Sequence, residues 1–480
     1  MGKSNINIKY KCLGASKQVT GSLHYLSVYI ENKRYNIVVD YGMVQNNMKK
    51  LNELYRTNKK PKSIKWEEID YLILTHSHAD HCGLLPMAIM QGYKGDIITT
   101  APCIKLTELI LTDSAYIQAK DTERYNKTKE GKKNPLYPIY SQRHVSETMD
   151  RFRGYDYNKK IVLNEHITLT LKSAGHLLGA CMPYLEIRCE DEVKRILFTG
   201  DTSGKKKIPF SKVPSIKDMK VDYLFSEGTY GDRLQKKDNS TQKLKKHMRE
   251  TLLENKGKLV LPVFSVGRSS TVIQKIYNIM KSTDEFNGIE IILASPMACK
   301  SHRIYGEKDS FNFYNESYSK YRDMFYWDKV QFIEEYKILE QVVLNKKPQL
   351  VLVSSGMITG GYSNAVVSSM LPHENSTILF CGFQGLGSTG RTIMESEYGD
   401  TILIDGKKIK RKCNIDFMSM SGHADYRRII ELIKDTRHTK IKKIYLNHGD
   451  ENALTYFKRE LDSEFNADVF ISDYDKWYKL

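Results

Sequence analysis

The stretch Leu72–Gly83, LILTHSHADHCG, puts three histidines and an aspartate into residues 76–81. A β-rich apolar run, YLILT (71–75), leads into it, and GLLPMAIMQ (83–91) continues with helical periodicity. The expected context is therefore strand, loop, helix. That puts the H-x-H-x-D-H letters at the carboxyl end of a strand, where α/β sheets place their sites. Alternation sends His76 and His78 to one side, and Asp80 and His81 follow as the chain turns. Imidazoles with a carboxylate suit zinc or a similar borderline metal. Cys82 reads as a small buried residue, not a ligand.

Two later fragments share this grammar. SAGHLLGAC (173–181) places His176 after the strand-like ITLTLKS (167–173), and ILFTGDTSG (196–204) places Asp201 directly after another apolar run. Together with His76 and His78, His176 would surround one ion, and the Asp201 carboxylate could bridge to a second. The second ion would take Asp80, His81 and Asp201 and needs one more ligand.

The 480 residues exceed one ordinary domain core, so two domains are expected. Short apolar runs alternate with helix-patterned segments, which argues for an α/β fold. Strands are expected at YNIVVD (35–40), GDIITT (95–100), MPYLEIRC (182–189) and RILFTGD (195–201), and helices at 103–121 and 141–153. The stretch 126–138 reads as a charged loop, and TSGKKKIPFSKVPSIKD (202–218) reads as a linker. A second α/β series starts at VDYLFSEGTYGDR (221–233) and runs through KLVLPVF, IEIILASP, PQLVLVSSG and STILFCGF; short strands return after residue 395.

Lys and Arg number 74 against 57 Asp and Glu, a formal charge of +17. That excess suits an anionic partner such as nucleic acid. The same composition, rich in Lys, Asn, Ile and Tyr, also fits an AT-rich genome. The eight cysteines form no CxxC pair and suggest reduced thiols in a cytoplasmic protein. The N-terminus lacks a signal-type apolar core and no apolar run has membrane-span length, so no membrane association is expected.

The ordered fragments HSHADH, AGHLLGA, FTGD and VVDYG (with Asp40) resemble the motifs of the metallo-β-lactamase fold. LFSEGTYGDR resembles motif A of its β-CASP subgroup, with Glu227 as the acid. MSGHADYRR resembles motif B, with His423, and YLNHGDENA resembles motif C, with His448. PVFSVGRS, SSGMITGG, GFQGLGSTGRT and GASKQVTGSLH are also similar to β-CASP stretches. The chain looks most like the compact prokaryotic relatives of the pre-mRNA 3′-end cleavage nuclease.

This resemblance implies an αββα metallo-β-lactamase sandwich, formed by 1–210 and 395–480, with an α/β β-CASP domain inserted at 211–394. It implies two-metal hydrolysis of RNA phosphodiester bonds, endonucleolytic on single-stranded RNA, with 5′-3′ exonuclease activity as a further expectation. A histidine in motif C goes with the RNA-processing branch. A DNA nuclease of the same fold and a catalytically inactive RNA-binding scaffold are the alternatives. The expected cofactors are two Zn2+, with Mn2+ as the substitute, and a homodimer is expected.

Under the same resemblance His448 completes the second ligand set, and Asp40 supports the metal loop by hydrogen bonds. His423 is the expected general acid, oriented by Glu227. Arg268, at a glycine loop opening a helix, suits a backbone phosphate. Ser355 and Gly356 in SSGM, and Ser388 in GLGSTGR, lie in glycine-rich loops suited to the RNA backbone. The remaining histidines (24, 144, 166, 247, 302, 373 and 438) read as structural.

Overall fold

In the strand Ile167–Ser173 every second residue is buried, and Ile167, Leu169 and Leu171 belong to a core that lies between two sheets. The computed structural model describes residues 6–46, 48–217, 219–235, 238–436 and 440–480; His438 lies outside them. The chain forms two units, one of residues 1–235, 313–315 and 422–480, the other of residues 236–312 and 316–421.

In the first unit, one seven-stranded sheet has the order Trp477–Lys479, Ile6–Gly14, Leu23–Ile30, Lys33–Val39, Tyr71–Ile73, Ile97–Thr100, Phe152–Tyr155. The other runs Asp468–Ile471, Lys443–Asn447, Tyr223–Glu227, Glu192–Phe198, Cys181–Cys189, Ile167–Ser173, Lys160–Val162. Alternation serves two cores at once. Ile37 and Val39 join the core between the sheets, while Val38 packs with Met87, Leu111 and Val145 of a helical layer. On the other side, helix Glu451–Glu464 packs on Lys443–Asn447 and Asp468–Ile471. The result is helix, sheet, sheet, helix, as expected.

The second unit is built on a six-stranded parallel sheet, ordered Val330–Ile333, Glu290–Ala294, Gln349–Val353, Lys258–Pro262, Thr377–Phe380, Asn414–Phe417. Its central strands are buried along their whole length because helices cover a parallel sheet, hence runs such as QLVLV.

Local departures have physical causes. The helix expected over 141–153 ends at Met149, and Phe152–Tyr155 becomes an edge strand parallel to Ile97–Thr100. Gly154 permits this, since a Cβ there would lie 2.9 Å from the Ala101 Cα. The expected loop 126–138 contains a short helix, Lys129–Lys133, capped by Thr128 Oγ1, which accepts from Gly131 N. The expected linker 202–218 is anchored: Phe210 is fully buried and Ser211 Oγ donates to the Gly175 carbonyl (2.8 Å). Tyr223–Glu227, read as opening the second series, lies parallel between Glu192–Phe198 and Lys443–Asn447 in the first unit's sheet.

Candidate metal centre

The first unit's strands deliver their chemistry at their carboxyl ends. Asp40 follows Lys33–Val39, His76 follows Tyr71–Ile73, Asp201 follows Glu192–Phe198, and His448 follows Lys443–Asn447. Glu227 is the last residue of its strand. Asp40 (φ 62°) and His448 (φ 49°) both adopt the left-handed region, which non-glycine residues pay about 1 kcal/mol or more to enter. His78 precedes the one-turn helix Ala79–Cys82. Gly42 lets this loop close, because a Cβ there would fall 1.6 Å from the Asp80 carbonyl oxygen.

Two donor sets meet at Asp201. In the first, His78 Nδ1 is 3.2 Å from His76 Nε2 and 3.1 Å from His176 Nε2, and Asp201 Oδ2 lies 3.4 Å from His76 Nε2 and 3.7 Å from His176 Nε2. In the second, His81 Nε2 lies 3.2 Å from both His448 Nε2 and Asp201 Oδ1, while Asp80 Oδ2 is 3.4 Å from His448 Nε2. Four donors bound tetrahedrally to zinc at its usual bond lengths stand about 3.3 Å apart. The spacing fits, and Asp201 Oδ1 is buried without a hydrogen-bond partner. All seven expected donors are thus brought together. Glu227 also lies close to Asp201 and His448, but its oxygens are engaged elsewhere.

Hydrogen bonds fix which nitrogen each ring presents. Thr75 N and Oγ1 both donate to Asp40 (2.8 Å each), and His81 Nδ1 donates to Asp40 Oδ2 (2.7 Å). His76 Nδ1 is 3.1 Å from Thr75 Oγ1. The Nε2 atoms of His76 and His81 are left facing the cluster, an orienting arrangement common around metals. Thr229 Oγ1 stands 3.2 Å from His448 Nδ1. Thr75 and Thr229 were missed in the sequence, although each adjoins a motif that was read. His24 is structural: Asn447 Nδ2 donates to its Nε2 (2.9 Å), and its Nδ1 pairs with Tyr10 OH (3.1 Å).

Burial pushes His76 down to about 3 and His78 to about 4, and His176 also falls well below the usual range. These three rings are neutral at physiological pH, the form that binds metal. Burial would raise Asp201, but the imidazoles of His448, His81, His423 and His76 hold it well below the carboxylate range.

A histidine–carboxylate pair stands beside the donors. His423 Nδ1 donates to Glu227 Oε2 (2.9 Å), and its Nε2 lies 3.8 Å from Asp201 Oδ2. Thr202 N donates to the other Glu227 oxygen (2.6 Å). Burial opposes protonation of His423, but Glu227 and Asp201 raise it to about 10.

The other expected residues lie in the second unit. Arg268 opens helix Arg268–Lys281 after Gly267. Ser355 Oγ pairs with Thr359 Oγ1 (2.8 Å), and the Gly356 carbonyl accepts from Gln384 Nε2 (3.0 Å). Ser388 caps helix Thr389–Glu395, accepting from Arg391 N (3.2 Å).

The metallo-β-lactamase superfamily matches residues 21–88, the Beta-Casp domain residues 247–393, and the Zn-dependent metallo-hydrolase RNA specificity domain (RMMBL) residues 408–472. The chain carries a metallo-β-lactamase, a Beta-Casp and an RMMBL domain. Apart from residues 313–315, the Beta-Casp match falls within the second unit, while the seven-donor cluster lies in the first.

The transcription termination factor FttA of Methanosarcina mazei is 26% identical over 456 residues, covering 93% of this chain and 67% of that protein. Cleavage and polyadenylation specificity factor 73 of Drosophila melanogaster is 24% identical over 469 residues, 96% of this chain and 63% of that one. Ribonuclease TTHA0252 of Thermus thermophilus is 24% identical over 448 residues, 92% and 93% of the two. The chain thus spans about two thirds of the first two and nearly all of the third. A crystal structure of a protein of unknown function from Enterococcus faecalis V583 shares the fold, with TM-score 0.54 and 12% identity over 99% of this chain and 100% of that one.

Proposed function

We propose that this chain hydrolyses the phosphodiester bonds of single-stranded RNA, endonucleolytically, with two divalent cations, zinc or in its place manganese. The observation that carries this reading is the convergence of seven donor side chains and the His423–Glu227 pair on one strand edge. An inactive scaffold has no need of that set. RNA as substrate is supported by the RNA specificity domain at 408–472 and by the Thermus ribonuclease of matching length. The formal charge of +17 supports a single strand held through its phosphates.

His76, His78 and His176 would hold one cation, Asp80, His81 and His448 the other, and Asp201 would reach both. When bound, such cations lower the pKa of water and neutralise charge on the phosphate oxygens. Asp40 keeps His81 Nε2 aimed at the cluster. His423 supplies the proton that the leaving oxygen needs, from Nε2, while Glu227 holds Nδ1 and favours the charged ring. No helix among the described residues is long and apolar enough to cross a membrane, and eight free cysteines suit a reducing cytoplasm.

The test is incubation of zinc- or manganese-loaded protein with internally labelled RNA and DNA of matched sequence. Internal cleavage of the RNA is expected. Cleavage of neither polymer, or preference for DNA, overturns the reading.

A further inference from the structure

Gln235 is the last residue of the first unit before the chain leaves it, and Gly422 is the first of the long segment that returns. Gln235 ties these two crossings together. Its Nε2 donates to the His423 carbonyl (2.6 Å) and its backbone N–H donates to Asp425 Oδ2 (3.0 Å). Its Oε1 accepts from Arg428 Nη1 (2.8 Å) and Lys206 Nζ (3.2 Å). One half-buried amide thus uses both its donor and its acceptor, on three stretches of chain.

The surroundings make His423 the point this amide controls. Asp425 caps helix Tyr426–Ile433 by accepting from Arg428 N (3.1 Å). Ala424 N donates to the Thr202 carbonyl (2.7 Å), next to Asp201. The residues after His423 are therefore anchored, and before it Gly422 approaches His176, where a Cβ would lie 3.0 Å from Nδ1. Glu227 fixes the His423 ring from one end and Gln235 fixes its peptide from the other. A peptide rotation swings the Cα–Cβ bond and carries Nε2 with it.

We infer that Gln235 is a positioning residue for His423. It sets the peptide from which that ring delivers its proton, and it places this control where the chain departs for the second unit. The inference rests on the reading of His423 as general acid. A merely structural role for Gln235, as an acceptor for Arg428 and Lys206, predicts a different mutational pattern.

The test uses the full metal-loaded chain and RNA. Gln235→Glu keeps the acceptor for Arg428 and Lys206 but loses the N–H facing the His423 carbonyl; Gln235→Ala loses both. For each, kcat should fall about 10- to 100-fold with KM and metal content unchanged. In a His423→Ala background neither change should cost more, because the effect passes through that ring. An RNA with sulfur in place of the leaving oxygen should restore the parental rate in both variants, since a thiolate leaves without a proton. Parental kcat for Gln235→Glu, a full additional loss in the His423→Ala background, or no rescue by sulfur overturns the inference alone. A parent chain that cleaves neither RNA overturns the nuclease reading, and this inference with it.

Discussion

The two units share a device and put it to opposite uses. Each gathers its loops at the carboxyl ends of strands. In the first unit that edge carries imidazoles and carboxylates, most of them buried, with seven close enough to bind cations. In the second it carries serines, glycines and a buried glutamine, with Phe383 and Leu386 exposed. Gln384 Nε2 donates to the carbonyls of Gly356 and Gly382 (3.0 Å each), joining two glycine-rich loops. One edge is dense in titratable groups and fit for bond breaking. The other offers hydroxyls, backbone and Arg268, the groups that the proposed function assigns to holding a strand. The topology thus says where chemistry sits, and the residue types say which chemistry it is.

The hardest blow to this contrast falls on the donors. Asp80→Asn with His81→Ala removes two donors of one set. Cleavage should be abolished and metal content, read by elemental analysis, should drop, with far-UV circular dichroism unchanged. Normal turnover in this double variant would break the assignment of the first unit as the chemical one. His423→Ala comes next. It removes no donor of either set, so metal content should stay at the parental level while kcat falls about 10²- to 10⁴-fold. Metal loss in that variant would make His423 a ligand.

Arg268→Ala sharpens the other side. If the second unit grips the backbone, RNA affinity should weaken about equally for all sequences, and the slope of log affinity against log salt should shrink by about 1. In kinetics KM rises with kcat kept. A fall in kcat at unchanged KM would move Arg268 into the chemical class and blur the contrast.

What the sequence made legible follows the same division. The donors of the first edge are legible because HSHADH compresses four ligand-type side chains into six residues, and His176 and Asp201, each an ordinary strand-end residue by itself, read as donors beside that cluster. His448 was not legible by local pattern, since it lies 367 positions from the His81 ring it faces; only its resemblance to a motif exposed it. Thr75 and Thr229 were missed because a threonine beside a strand looks like any β-former. Gln235 was missed because its partners, His423, Asp425 and Arg428, lie far along the chain, and no local period encodes that meeting. The stretch 202–218 reads as a linker because turn formers and lysines dominate it, yet Phe210 is fully buried. Helix ends failed similarly, as at Met149, where the core's demand for Phe152 overrode helical periodicity.

The smallest effect sharpens the contrast through acid. The second unit holds a buried histidine of its own, His302, packed on the rings of Phe325 and Phe332 (4.9 and 5.7 Å), with Ser270 Oγ 3.0 Å from its Nδ1. Burial, helped by neighbouring Arg303, lowers it from 6.5 to about 3. Among the described residues no carboxylate stands against it as Glu227 stands against His423, so this ring answers to burial where the other answers to charge. The folded value lies below the unfolded one, so the unfolded chain takes up the proton first. The neutral ring's contribution to stability is therefore intact above pH 6.5 and declines as pH falls toward 3. One such group changes unfolding free energy by about 1.4 kcal/mol per pH unit within that window. His302→Gln, which keeps an acceptor for Ser270, should remove that much slope from the urea midpoint profile between pH 6 and 4, at some cost in stability at pH 7. An unchanged slope would mean that His302 takes up its proton equally in the folded and unfolded states, and that the second unit's tolerance of acid is set by its surface carboxylates instead.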